Sequence, residues 1–409
     1  MVCWIWLSHA VWHVANSLRR RTFTSLRRIT FTRISPMKHS QRMIFPCLQA
    51  IVLLALLFAM QCVIPAQAQE TSPIKDSSTV YIVGELQDLT KSRSITLQGW
   101  MTFQGTSIFG QYHYDGNIGV IRLAGSIGAD NSVNIEEKSS TGEFNENPNV
   151  KEKTYAVISG KLSRERGIIT GTWTSADGKT SYPCTLTVIA KFTEKAEKTF
   201  VLSVKYPVFA LSKYASLNPV IQKNMAESLV KNRKRLEEVY SEMQKNTPKG
   251  EKLDLPYDLT TTDEMSIHHC SERFVSAYRV EASFLGGAHF NYYYFGETWW
   301  NAGGKTWRKI AMNELFTADT AYIQRLNTLI VAKLTQQGSV FVVDGSITDF
   351  TNLLRKGRLA WVMRPAGITF IFAPLSVATF ADGETAAFIP WKAIKQYIRK
   401  DGPAGEFVK

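Results

Sequence analysis

Four residues of the kind that bind metals lie close together in the chain: His268, His269, Cys270 and His289. Imidazole nitrogen and thiolate are common zinc ligands, and four of them would close a tetrahedral site. The spacing argues against that chemistry. Neighbouring side chains on a strand point to opposite faces, so His268 and His269 would not share an ion. No metal and no cofactor is therefore assigned. His289 has a setting of its own, Gly286-Gly287-Ala288-His289-Phe290-Asn291. The two glycines permit backbone angles closed to other residues and set the imidazole at a strand end, where it either meets a ligand or holds the turn. Asn291, Tyr292, Tyr294, Trp299 and Trp300 follow and offer an aromatic recognition face, with alternation sending half of them inward.

Other catalytic patterns fail on their spacing. Gly178-Lys179-Thr180 and Gly304-Lys305-Thr306 have the end of a phosphate loop, but Trp173 and Trp299 stand where its first glycine is needed. Neither the serine-hydrolase elbow nor the paired-histidine zinc motif of metalloproteases occurs. No catalytic residue is assigned, and a non-catalytic role is the first expectation, with an enzyme of unfamiliar site left open.

The elements that must position these residues fall into two regions. Residues 78–194 read as short strands at regular spacing, with hairpin turns at Asp115-Gly116 and Ala176-Asp177-Gly178-Lys179. This is an all-β domain, a sandwich or a barrel. Its aromatics Trp100, Tyr112, Tyr114 and Trp173 would fill the core or, alternatively, line a cavity for an apolar ligand. A charged linker is expected over 192–198. Beyond it, residues 199–405 alternate strands and helices, giving an α+β fold class overall. Phe200 to Pro207 reads as a strand ending at its proline. Asn218-Pro219 reads as a helix start, Asn as cap and Pro in the first turn. Phe274 to Phe284 alternates as a half-buried strand with Arg279 and Glu281 on the polar face, and 317–338 is a second amphipathic helix. A hairpin turns at Pro365-Ala366, a last strand runs to Ile389, and Pro390 opens a short terminal helix.

The order of motifs in 199–405 resembles the module shared by the extracellular part of RsiV anti-sigma factors and the non-catalytic N-terminal part of PdaC peptidoglycan deacetylases. The resemblance is carried by Tyr206-Pro207, a long helix, Gly286-Gly287-Ala288-His289-x-Asn291, Gly304-Lys305 and Leu315-Phe316. Phe370-Ile371-Phe372-Ala373-Pro374, Ala381-Asp382-Gly383 and Ile389-Pro390 complete it. The chain departs at Phe290, where that family usually has Pro, and at Leu375 and Thr379-Phe380, where it tends to show Tyr and Pro-Tyr. The resemblance implies a binding module of the cell envelope. RsiV-like ectodomains recognise lysozyme, so the implied partners are an exported protein such as a lysozyme-like enzyme, or a cell-wall component such as peptidoglycan. The candidate binding set is His289, Asn291, Tyr292, Tyr294 and Asp382. The deacetylase half of the PdaC family has no counterpart in the chain, so its activity does not carry over. A cell-wall-modifying enzyme with an unfamiliar site, or a carrier of an apolar ligand, are the alternatives.

Compartment follows from the N-terminal residues. Lys38 and Arg42, the apolar run 48–58 and Ala66-Gln67-Ala68 are the three parts of a secretory signal peptide over 37–68, with cleavage after Ala68. Residues 1–36 do not fit that pattern and read as an over-extended start. The formal charge of the chain is +13, from 48 basic and 35 acidic residues. Eight of the basic residues and no acid fall in 1–68, which leaves 40 against 35, or about +5. That gives no case for nucleic acid. No further apolar run is long enough to span a bilayer, so the expectation is an exported protein, periplasmic or secreted. Of five cysteines only Cys184 and Cys270 lie beyond the leader. They form either one disulfide or two buried thiols, and spacing does not choose between them.

Overall fold

The computed structural model describes residues 74–115, 119–138, 153–197, 200–249, 251, 253, 255, 257–303 and 306–408. All lie within one compact unit, Glu70–Lys409. The readings of 1–36 and 37–68, Gly116 and the Gly304-Lys305 turn lie outside the described residues.

Eight strands come first: β1 (Ser77–Asp88), β2 (Arg93–Gln104), β3 (Ser107–Tyr114), β4 (Ile121–Ile127), β5 (Ser132–Lys138), β6 (Thr154–Ser163), β7 (Ile168–Ser175) and β8 (Ser181–Glu197). Each pairs with the next antiparallel, and β8 returns to β1 from Leu86↔Cys184 to Val80↔Lys191. The sandwich-or-barrel choice is thereby made: this is a closed eight-stranded barrel, which leaves no open edge among its strands. Alternation fills it. Leu97, Met101 and Phe103 of β2, Val133 and Ile135 of β5, and Leu186 and Val188 of β8 all join one buried interior cluster.

The stretch expected as a linker is strand through Glu197. β8 overruns the barrel, and its second half pairs with β9 (Val201–Phe209), from Ala190↔Phe209 to Glu197↔Leu202. The same sheet continues through β10 (Thr260–Cys270), β11 (Phe274–Phe284), β12 (Asn291–Trp300) and the short β13 (Arg308–Lys309). β9 also runs past Pro207, which is tolerated because pairing with β10 stops at Lys205. β10 lies parallel to β9, which requires a crossover, and the long helix α1 (Asn218–Asn246) supplies it. Asn218 is not the cap. Leu217 takes that position, and the Asn218 amide bonds both backbone groups of Phe209, at 2.8 and 3.0 Å, tying the end of β9 to the helix.

α1 changes the character of β11. Seven of the strand's eleven residues are buried and none is exposed, so it is more than half-buried. Arg279 pairs with buried Asp263 at 3.0 Å, and Ser228 of α1 donates to the same carboxylate. Buried Glu281 is met by Lys231 and Arg235 of α1, at 3.6 and 3.4 Å. The charged face was legible; its cover by a helix carrying complementary charge was not.

A second sheet, β14 (Ala360–Arg364), β15 (Gly367–Phe372) and β16 (Thr385–Pro390), is antiparallel. Helix α2 (Ala321–Gln336) packs into its core through Leu326, Ile330 and Leu334. On the other face Ala360, Val362 and Ile371 meet Tyr278 and Tyr294. The terminal helix expected after Pro390 is two 3-10 turns, Trp391–Ala393 and Lys395–Tyr397. The described chain is thus mostly β, a barrel with further strands and few helices. Among the described residues no helix is long and apolar enough to cross a membrane.

Cys184 and Cys270 are both free and buried. Cys184 belongs to the barrel interior, whereas Cys270 belongs to the cluster packed on the barrel's outside, so the wall separates the thiols.

The two sheets touch at Gly296. A Cβ there would lie 2.6 Å from the carbonyl oxygen of Trp361 and 3.0 Å from its nitrogen. Gly296→Ala should therefore push β14 away from β12 and destabilise the fold by about 1–3 kcal/mol. Urea unfolding checks this, and an unchanged midpoint would refute the close approach.

Candidate functional site

The Gly-Gly turn joins β11 to β12, and its two glycines have φ of +93° and +117°, the left-handed side that favours glycine. His289 follows, half-buried, with Nδ1 2.9 Å from the carbonyl oxygen of Phe290. Its ring stacks on Phe380 at 4.6 Å, and Tyr292 approaches the same ring at 6.2 Å. Phe290 packs between Phe284 and Tyr292. Tyr294 stacks on Tyr278 and hydrogen-bonds Glu384, whose carboxyl is raised above its ordinary range by burial, with Tyr294 partly opposing this. Asp382 accepts from the backbone N–H of Thr379 at 2.8 Å and from its hydroxyl at 2.6 Å, so it caps the turn that presents Phe380. Asn291 is exposed, and alternation directs it to the opposite face of β12 from Tyr292 and Tyr294. The structure therefore brings His289, Tyr292, Tyr294 and the Asp382 turn together on one ledge and leaves Asn291 apart.

The other two histidines sit elsewhere, in company the sequence did not suggest. A bulge between Ile267 and His269 breaks the register of β10 against β11. The alternation that was to send His268 and His269 apart fails there, and both rings lie near His113 of β3, at 5.9 and 6.2 Å. Asp115 completes the group, its Oδ1 3.6 Å from His269 Nδ1. His113, Asp115 and His269 each bring one ligand atom within 4.8 Å of the others. His113 Nε2, Asp115 Oδ1, His268 Nε2 and His269 Nδ1 are buried with no hydrogen-bond partner. Asp115 and His269 line a cleft of about 620 Å³ between the barrel rim and the turn after β10.

Electrostatics orders this cluster. Gln98 Oε1 accepts from the Cys270 N–H at 2.8 Å, so its amide nitrogen faces His269 Nε2, at 3.3 Å. Nε2 must then accept, and the proton stays on Nδ1, toward Asp115. Burial, with the Arg364 guanidinium adding to it, holds the His113 imidazole down at about 3. His268 and His269 are also held well below their ordinary value, by burial first and then by the neighbouring rings and Arg364. Burial pushes the Asp115 carboxyl up to about 6, against Gln98 and Arg364. Two imidazoles and a carboxylate are a donor set for a borderline divalent cation. The guanidinium and the Gln98 amide both oppose one, so the resting arrangement is neutral imidazoles beside a carboxyl group.

Sequence reasoning missed His113 and Asp115. The signal was there in outline: Tyr112 and Tyr114 point into the barrel, so His113 must point out of it, and an outward His is silent until something covers it.

Residues 313–392 match a family model described as "Protein of unknown function (DUF3298)". No curated protein matches the chain. Among solved structures, a DUF3298 family member from Bacteroides fragilis is similar at 16% identity and a TM-score of 0.36, over 53% of this chain and 97% of that one. A DUF3298 family protein from Pseudomonas aeruginosa is similar at 9% identity and a TM-score of 0.34, over 52% and 94%.

The buried imidazoles set a pH dependence. A base whose folded value lies below its unfolded 6.5 contributes stability above 6.5 that is lost as pH falls toward the folded value. For His113 that window runs from 6.5 down to about 3. Asp115, raised, works the opposite way between about 6 and 3.8 and offsets part of the loss. Urea unfolding should show lower stability at pH 5 than at pH 7. His113→Gln should cut that loss by about 2 kcal/mol. An equal loss in both proteins would show that His113 is free to protonate in the fold.

Proposed function

We propose that the chain is an exported, non-catalytic envelope protein of the RsiV/PdaC-like kind, whose second half recognises a cell-wall glycan. The observation that carries this reading is the ledge: His289 stacked on Phe380 at 4.6 Å with Tyr292 alongside, all half-buried. Flat rings with polar edges suit a sugar, whose ring presents C–H groups to a π-face and hydroxyls to neighbouring donors and acceptors. The turn that makes the ledge is the same Gly-Gly-Ala-His segment that carries the sequence resemblance. Export rests on the signal-peptide pattern of residues 37–68. A binding role also agrees with how the acids near the ledge are used, Asp382 in capping Thr379 and Glu384 in holding Tyr294.

Co-sedimentation with purified peptidoglycan sacculi tests the reading. The unaltered protein should pellet with the sacculi. Phe380→Ala and Tyr292→Ala should each weaken binding by about tenfold, the loss of one stacking partner, with little change in melting temperature. No co-sedimentation, or full binding by both variants, would overturn the glycan reading.

A further inference from the structure

Among the described residues, a cavity lies at the end of the barrel where β3 and β5 finish. It has a volume of about 620 Å³ and is walled by Leu86, Ile95, Tyr114, Trp173 and Tyr182, with Glu137 set into its side. A volume of this size suits a small organic ligand. Glu137 reaches this place by simple alternation, third in the inward row of β5 after Val133 and Ile135. It is only 2% exposed. Its Oε1 accepts from three donors: the Tyr112 hydroxyl, the Tyr114 hydroxyl at 2.6 Å, and Trp173 Nε1 at 2.6 Å. Among the described residues nothing bonds Oε2, and no Lys or Arg pairs with Glu137. Among the described lining residues the guanidinium is that of Arg93, engaged by Asp88 at 3.3 Å.

This is an unusual way to bury a carboxylate. Removing one from water costs several kcal/mol, and neutral donors return part of that without cancelling the charge. All three donors converge on one oxygen, which fixes the group's orientation and leaves the other oxygen for the cavity. The surroundings favour positive charge further. Trp173 and Tyr182 stack at 5.5 Å and present π-faces, and Asp115 adds a second carboxyl group to the same cavity. The apolar walls, Leu86 and Ile95, would accommodate a hydrocarbon body. Cys184 of the barrel interior is a poor nucleophile, since burial and then the Glu137 charge push its thiol up to about 12.

We propose that the barrel mouth binds a small organic ammonium ion with an aromatic or aliphatic tail. The charged nitrogen sits on Glu137 Oε2, and the tail lies against Trp173, Tyr182, Leu86 and Ile95. The site is separate from the ledge of β12 and does not depend on the glycan reading.

Titration calorimetry on the full chain, with three probes of one shape, tests this: phenethylamine, neutral 2-phenylethanol and anionic 3-phenylpropionate. The amine should bind at least about tenfold more tightly than the alcohol, as a charge-assisted contact in a dry site predicts, and the acid should not bind. Glu137→Gln keeps an acceptor for the three donors while removing the charge. It should bring the amine's affinity down to that of the alcohol and leave the alcohol unchanged. Ile95→Trp, which fills the mouth and keeps the carboxylate, should lose both ligands. An amine that binds no better than the alcohol, or no binding by any probe, would overturn the proposal even if Glu137→Gln failed to fold. So would a folded Glu137→Gln that keeps the preference.

Discussion

A strand of 17 residues, β8, has to satisfy its backbone groups on both edges, and no single neighbour is long enough to do so. Its first part is sandwiched between β7 and β1, which closes the barrel. From Ala190 onward β7 has ended, and β9 takes the vacant edge. That exchange of partners is the hinge of the architecture. It makes the barrel wall and the second half one continuous sheet, and it sets β10 against the barrel's outer surface. Tyr81 and Ile189 of the wall thus share a buried cluster with Met225 of α1 and Ile267 of β10. Tyr81 also donates to the carbonyl of His268 at 3.1 Å, bonding wall to strand directly.

Burial on both faces forces a decision about every polar side chain in the contact, and the molecule decides in two ways. Under α1 the charges are paired. Asp263 has Arg279 and Ser228, and Glu281 has Lys231 and Arg235. Against the barrel wall they are mostly suppressed instead, with three imidazoles held neutral by desolvation and Arg364. The first gives each buried acid a charged partner; burial still raises the Asp263 carboxyl, with the Arg279 guanidinium opposing that rise. The second is sensitive to acid by construction.

What the sequence could show tracks how local the cause is. Hairpins, helix patterning and the inward rows of the barrel come from alternation and turn residues, and they were legible. The charge of 192–198 suggests a linker, whereas the ladder bonds of 192–197 to β9 are a long-range fact. Asn218 has a cap's chemistry, and it spends it on Phe209 in the preceding strand. His268 and His269 were separated by a rule that holds for regular strands and fails at a bulge. Barrel and sandwich differ by the one pairing of β1 with β8, which joins residues about a hundred apart and leaves no local trace. Of the ledge, His289, Tyr292 and Tyr294 could be named from type and spacing. Phe380, which completes it, belongs to a turn of another sheet.

Asp115 connects the cavity at the barrel mouth with the cleft between the barrel and the turn after β10. It lines the barrel mouth with Glu137, and it lines the outer cleft with His269. Its carboxyl is held up to about 6 by burial, so at neutral pH its charge is only loosely kept. A cation in the mouth would favour the charged form and lower that value. A charged Asp115 would in turn draw on the Nδ1 proton of His269, 3.6 Å away. By linkage the effect is reciprocal: whatever settles the charge on Asp115 from the cleft side alters the mouth's affinity for a cation by the same factor. The barrel wall is thin enough, and this one side chain placed well enough, for the two surfaces to share a titrating group.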